Sequence, residues 1–186
     1  MSQTPTGISL DTAIRQGIEA IRAKKGGLWS QVLILTDNVT SFADTERSYI
    51  SSLFGASGGD VDTFLEGQGY PDKDEEKLSR RDSEVAALQD AWDWLTAHDQ
   101  VQSVLVVLLC NIGPCNACKQ RLANFRAECV PYYGTNLTVQ AIYGQSGGPA
   151  NETTRGDKKI KTTYGYEGAA ARTLSDGTKV WVRTVT

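Results

Sequence analysis

The stretch VLVVLL at positions 104–109, followed by GPCNAC at positions 113–118, decides the fold of this chain. Six consecutive valines and leucines are typical of a central strand that is buried on both faces. The proline at 114 fits the start of a helix, because its missing N–H would have no partner there. Together, the two segments predict a buried strand that leads directly into a helix over residues 115–128.

The two cysteines of this stretch form a metal-binding or redox motif. Cys115 and Cys118 are one helical turn apart and therefore share a face. The positive end of the helix dipole lowers the pKa of nearby thiols, which favours the thiolate that binds metals. The other two cysteines of the chain, Cys110 and Cys129, fall in the same short region. This clustering favours metal or redox chemistry over a disulfide scaffold, which would join distant loops.

The remaining chain alternates helical and strand patterns. We predict helices over residues 9–24, 82–97 and 115–128, and strands over residues 31–36, 104–109, 136–143, 160–166 and 179–185. Residues 44–54 are ambiguous, and capping at Asp44 favours a helix there. A long surface insertion is expected over residues 55–81, and a polar loop over residues 145–156. The alternation predicts a single α/β domain over residues 1–186, with parallel core strands covered by helices.

Composition excludes some classes of protein. The chain is 40% hydrophobic and 22% charged, which is ordinary for a soluble globular protein. It shows no apolar run near the roughly 20 residues that span a bilayer and no signal-peptide pattern, so we expect no membrane partner and action in a cytoplasm. The net charge is −3, but residues 155–183 contain seven basic and three acidic residues. This basic segment is either a polyanion-binding surface or a solvated hairpin.

A second motif, Asp82-Ser83-Glu84, opens the predicted helix over residues 82–97. Asp82 offers one carboxylate oxygen to a metal, and Glu84 can face a water in an open coordination position. Catalytic zinc requires three protein ligands, an exchangeable water and a carboxylate that moves its proton. We therefore predict Zn²⁺ held by Asp82, Cys115 and Cys118, with Glu84 as the catalytic proton carrier. The alternative is that Asp82 is an N-cap and Glu84 a partner of the helix dipole.

The two motifs together resemble those of the zinc-dependent cytidine deaminase-like superfamily, whose pattern is His-x-Glu followed by Pro-Cys-x-x-Cys. Asp82 stands where that pattern has His. The resemblance is closest to deaminase domains of bacterial polymorphic toxins, some of which have Asp or Cys there, and it covers roughly residues 9–185. It implies a three-layer α/β/α deaminase-like fold with helices on both faces of a mixed five-stranded sheet. The absence of a helical pattern between residues 143 and 160 resembles the toxin-type branch, in which the last core strands are antiparallel.

The resemblance also implies a function. It implies hydrolysis of cytosine to uracil, in single-stranded or flipped-out DNA, by a toxin that acts in a target cell and is neutralised by an immunity protein. It places the backbone N–H near Ser83 against the target base. The candidate substrate contacts are Ser83, Asn38, Pro114, Tyr164 and Tyr166.

Several alternatives remain open. Within the same fold, the substrate could be free cytidine, its nucleotides or RNA bases. In another class, the protein is a zinc-binding interaction module without catalysis. The cysteine pair taken alone also fits a thioredoxin-like dithiol or an all-cysteine zinc site with Cys110 and Cys129. A helix rises about 1.5 Å per residue, so Cys129 would lie roughly 21 Å from Cys115, which argues against a shared metal.

Overall fold

The computed structural model describes eight stretches of the chain: residues 10–23, 29–36, 47–50, 82–98, 103–144, 151–155, 158–162 and 164–186. The helices in these stretches are α1 (Leu10–Ala23), α2 (Ser83–Ala97), α3 (Asn116–Tyr133) and a short 3-10 helix (Gly134–Asn136). The strands are β1 (Trp29–Thr36), β2 (Arg47–Ile50), β3 (Val104–Cys110), β4 (Leu137–Tyr143), β5 (Asn151–Arg155), β6 (Lys158–Thr162), β7 (Ala170–Thr173) and β8 (Lys179–Thr184). No helix within these stretches is long and apolar enough to cross a membrane.

Six of the strands form one mixed sheet in the order β2-β1-β3-β4-β8-β7. Strands β3 and β4 are parallel, and the other neighbouring pairs are antiparallel. Strands β5 and β6 form a separate antiparallel hairpin. The mixed sheet with an antiparallel end, β4 against β8, agrees with the expected fold. Four of its strands were predicted, namely β1, β3, β4 and β8. Strands β2 and β7 were not, and the strand predicted over residues 160–166 corresponds to β6, which lies in the separate hairpin and not in this sheet.

The prediction of uniformly parallel core strands is wrong for β1 and β3. Strand β2 reverses the chain beside β1, so the helical crossover connects β2, rather than β1, to β3 through α2. A crossover of this kind joins parallel strands, and β3 therefore runs parallel to β2 on the far side of β1. The prediction of a helix over residues 44–54 is also wrong, because Arg47–Ile50 pairs with four residues of β1. Tertiary pairing outweighs the local capping signal here.

Helices cover both faces of the sheet. Alternate residues of β3 face opposite sides, as the side-chain period of a strand requires. Val107 and Leu109 pack with α1, whose contributions are Ala13, Ile14, Ile18 and Ile21. Val106 and Leu108 pack with α2 and α3, whose contributions include Leu88, Ala91, Leu122 and Phe125. Strand β3 is buried on both faces as predicted, and the described elements form three α/β/α layers.

Some boundaries differ from the sequence prediction. Helix α3 continues five residues beyond position 128 to Tyr133 and includes Pro131. A proline this close to a helix end removes only one late hydrogen bond, and the Tyr133 hydroxyl anchors the last turn by donating to the Leu95 carbonyl at 3.1 Å. Strand β6 ends at residue 162 rather than 166, and β5 lies inside the predicted polar loop. The insertion predicted over residues 55–81 lies outside the described residues.

Candidate metal centre

The N-terminal ends of α2 and α3 meet at the candidate site. Asp82 is the N-cap residue of α2, and Cys115 is the N-cap residue of α3. The Cys115 sulfur accepts a hydrogen bond from the backbone N–H of Cys118 at 3.4 Å. The Asp82 side chain makes no capping hydrogen bond to α2, so the alternative reading of this aspartate as a simple helix cap is not supported.

Three side chains converge there to form what we call the Asp/Cys/Cys group: Asp82, Cys115 and Cys118. Their ligand atoms lie within 4.8 Å of one another. The distance from Cys118 Sγ to Asp82 Oδ2 is 3.3 Å, and that from Cys115 Sγ to the same oxygen is 3.7 Å. In a tetrahedral zinc site, the usual zinc–sulfur and zinc–oxygen lengths place sulfur and oxygen ligands roughly 3.6 Å apart. The three side chains therefore fit one small cation.

Without a metal, the buried surroundings of the group favour the protonated form of the Cys118 thiol. All three side chains are buried, at 4%, 2% and 0% exposure. The hydrogen bond with Cys115 and burial raise the pKa of the Cys118 thiol well above its usual value, with smaller contributions from the nearby acidic groups. The expected lowering by the helix dipole is therefore outweighed at Cys118. A bound metal reverses this balance, because a coordinating thiol is deprotonated. The donor set of two sulfurs and one carboxylate oxygen is soft enough to suit zinc rather than magnesium or calcium.

The other two cysteines do not join the group. In the described part of the chain, the metal-capable cluster contains only the three residues named above. Cys129 lines a pocket farther along α2 and α3, beside Trp92 and Tyr132. Cys110 ends β3 and lies 3.5 Å from the Ser30 hydroxyl oxygen. All four cysteines are free thiols, and an all-cysteine metal site is not supported.

Glu84 lies beside the Asp/Cys/Cys group rather than in it. Its side chain is buried in the first turn of α2, at 6% exposure. One carboxylate oxygen, Oε2, is 3.3 Å from the Ser83 hydroxyl. The carboxylate also interacts electrostatically with Cys118 and Cys110. A second buried carboxylate thus lies next to the candidate metal ligands without belonging to the Asp/Cys/Cys group.

The predicted substrate contacts lie near the cysteines, except for one that is not described. Tyr164 is half-buried and packs against the small apolar cluster that contains Cys115 and Cys118. Pro114 is buried, and its carbonyl accepts a hydrogen bond from the Gly165 N–H at 3.0 Å. The half-buried Tyr166 lies with its ring centroid 5.7 Å from the Lys119 ammonium. Asn38 lies outside the described residues.

Residues 164–166, which we call the 164–166 segment, pack against the loop that precedes Cys115. The closest approach is between Gly113 and Gly165. A Cβ atom added to Gly113 would lie 2.3 Å from the Gly165 Cα and 2.5 Å from its nitrogen. Because both atoms are backbone, the segment must move to admit a methyl group. We predict that Gly113→Ala lowers the free energy of unfolding by about 1–3 kcal/mol, measured by urea denaturation.

The matched control for this prediction is Gly168→Asn. Gly168 has a φ of 71° with open space around it, and asparagine tolerates that backbone conformation. The control is expected to lose less stability than Gly113→Ala, because no neighbouring atom has to move. If Gly113→Ala proved as stable as Gly168→Asn, the close approach of the two glycines would not be needed to hold the 164–166 segment.

Sequence reasoning missed one residue of this region, Ser30. It lies in β1 with 1% exposure, and its hydroxyl is 2.8 Å from that of Ser83. The only signal in the sequence is a polar pair, Ser30 and Gln31, at the start of an otherwise apolar strand. Nothing in the spacing of these residues connects Ser30 to a motif more than 50 positions away.

No protein-family model, curated protein or solved structure matches this chain in the comparisons with known proteins. Its class is therefore defined by its fold and its site. The described residues form a three-layer α/β/α protein with a mixed sheet and a buried Asp/Cys/Cys group able to hold a metal ion.

Proposed function

We propose that this protein is a zinc-dependent deaminase that hydrolyses the exocyclic amine of cytosine in single-stranded or flipped-out DNA. The observation that carries the proposal is the convergence of the Asp/Cys/Cys group within 4.8 Å, with Glu84 buried beside it. These are the positions that the deaminase-like motif pattern assigns to its metal ligands and acid/base. A donor set of one carboxylate and two thiols also leaves a fourth, exchangeable position at a tetrahedral ion.

The fold supports the same class. The motif residues lie at the starts of α2 and α3, with β3 between them in the chain. The parallel β3–β4 pair followed by antiparallel β8 is the arrangement expected of the toxin-type branch. We therefore infer a toxin or effector domain, whose dedicated partner is an immunity protein.

The chemistry follows from the residues of the site. Zinc, when bound to Asp82, Cys115 and Cys118, supplies Lewis acidity that lowers the pKa of a water from about 15.7 toward neutrality. Glu84 takes one proton from the attacking water and delivers it to the ring nitrogen of the substrate, and then carries the second proton from the new C–OH group to the departing amine. The water oxygen bonds to the carbon that bore the amine, and ammonia leaves. Burial of Glu84 keeps bulk water away from this proton transfer.

Tyr164 and the basic segment that precedes it in the chain suit a base attached to a polyanion. Tyr164 offers an aromatic ring beside the cysteines, and base–aromatic stacking contributes about 1–3 kcal/mol. Between β4 and this tyrosine the chain forms the β5–β6 hairpin. The sequence of that hairpin contains four basic residues: Arg155, Lys158, Lys159 and Lys161. This supports a phosphate-bearing strand over a free nucleoside as the substrate.

A side-by-side assay tests the proposal. Zinc-loaded protein is incubated with single-stranded DNA, duplex DNA, RNA and free cytidine, and uracil or uridine is quantified by mass spectrometry. We expect deamination of single-stranded DNA at least about 10-fold faster than of duplex DNA, because unstacking a paired base costs a few kcal/mol. Fastest turnover of cytidine or RNA would contradict the DNA assignment. Absence of deamination on every substrate would contradict the enzyme class and favour a zinc-binding interaction module.

A further inference from the structure

Two buried serine hydroxyl groups connect strand β1 to the Glu84 carboxylate. Ser30 and Ser83 are each 1% exposed, and their oxygens are 2.8 Å apart. Ser83 Oγ is in turn 3.3 Å from Glu84 Oε2. On the other side, Ser30 pairs with Cys110 across β1 and β3, and the Ser30 oxygen is 3.5 Å from the Cys110 sulfur. A network of polar contacts thus runs from β1 and β3 to the Glu84 carboxylate.

The number of available protons determines which hydroxyl donates in each hydrogen bond of this network. A serine hydroxyl has one proton to donate. An ionised carboxylate only accepts, so the Ser83 hydroxyl must donate to Glu84. The Ser83 proton is then committed. Ser30 has one proton for two neighbours, the Ser83 oxygen at 2.8 Å and the Cys110 sulfur at 3.5 Å, and the shorter contact is satisfied only if Ser30 donates to Ser83. Ser30 therefore orients the hydroxyl that contacts Glu84, although it does not touch Glu84 itself.

The contact between Ser83 and Glu84 also limits the conformation of the Glu84 side chain. Neighbouring residues in a helix project in different directions and do not face each other. The 3.3 Å contact between Ser83 Oγ and Glu84 Oε2 therefore keeps the carboxylate close to the first turn of α2. That is the end of the helix where Asp82 meets the cysteines. A hydrogen bond to a charged acceptor is about twice as strong as a neutral one, so it can favour this orientation.

We propose that Ser30 and Ser83 are positioning residues that hold the Glu84 carboxylate in its working orientation beside the metal ligands. This inference rests on the proposed function, in which Glu84 carries the proton. It adds a residue from β1, outside both sequence motifs, to the machinery of the site.

The test compares Ser30→Ala with Ser103→Ala in the zinc-loaded protein. Both variants remove one serine hydroxyl, but Ser103 precedes β3 at the end opposite Cys110, so only Ser30→Ala breaks the link to Glu84. We expect Ser30→Ala to lower kcat about 10-fold or more, as removal of outer-shell partners does, with KM within about 2-fold of the wild-type value and zinc retained. Ser103→Ala is expected to keep the wild-type kcat. Wild-type kcat in Ser30→Ala, or an equal loss in both variants, would overturn the proposal.

A second readout does not depend on activity. The carboxyl carbon of Glu84 is observed by NMR in protein labelled with ¹³C-glutamate, and its signal is assigned by its absence in Glu84→Gln. We expect Ser30→Ala to shift this signal and Ser103→Ala to leave it in place. If the wild type deaminates no substrate, the proposed function fails, and the Glu84 signal alone then decides the positioning. An unmoved signal in Ser30→Ala would overturn it.

Discussion

Replacing Glu84 with glutamine is expected to abolish deamination while leaving the metal in place. The amide keeps the size of the side chain but cannot accept the proton of the attacking water. General acid–base catalysis contributes about 10²–10⁴-fold to rates, so kcat/KM on single-stranded DNA should fall at least about 100-fold. The Asp/Cys/Cys group remains intact in this variant, so zinc content measured by elemental analysis should stay at the wild-type level.

The matched control is Glu19→Gln. Glu19 is an exposed glutamate on α1, where its carboxylate lies 3.5 Å from the Arg15 guanidinium, and the control should keep full activity and full zinc. Deamination retained in Glu84→Gln would exclude Glu84 as the proton carrier. Loss of zinc in this variant would instead make Glu84 a metal ligand, contrary to its place beside the group.

Replacing Cys118 with alanine is expected to remove the metal and weaken the fold. Cys118 is fully buried, and metal binding to a buried site is coupled to folding. A metal present at 1,000 times its dissociation constant stabilises the folded state by about 4 kcal/mol. Cys118→Ala should lose most of that free energy of unfolding together with all deamination. Treating the wild type with a strong chelator should lower its melting temperature in the same way.

Cys129→Ala provides the control for this prediction. Cys129 is a buried cysteine on the same helix, at 1% exposure, but it lies in the apolar core away from the metal ligands. The Cys129→Ala variant should lose some packing energy, keep its zinc and respond to the chelator as the wild type does. If the wild-type melting temperature stayed constant after the zinc had been removed and its absence verified, the coupling of metal to fold would be contradicted.

The parts of this molecule that sequence predicted well are those with local signals. The apolar run of β3 indicates burial on both faces, and the spacing of Cys115 and Cys118 requires only one helical turn. The pattern of residues 82–97 likewise predicts α2 within a residue or two. The approach of Asp82 to the cysteines is a long-range contact, and it was predicted from the ligands that catalytic zinc requires and from the resemblance to a known motif pair, not from a local signal.

What the sequence could not predict depends on contacts between distant segments. Strand β2 carries weak local signals and is fixed by its register with β1, which also sets the direction of β3. The raised pKa of Cys118 arises from burial and from Cys115, which outweigh the helix dipole. Ser30 reaches Ser83, and through it Glu84, only when β1 packs against the first turn of α2. None of these effects leaves a periodic pattern in a single sequence.

X-ray absorption at the zinc edge of the loaded wild-type protein tests the central claim most directly. The account predicts two sulfur ligands at about 2.3 Å and two oxygen ligands at about 2.0–2.2 Å, from Cys115, Cys118, Asp82 and an exchangeable water. Four sulfur ligands, or a protein that binds no zinc at all, would contradict it.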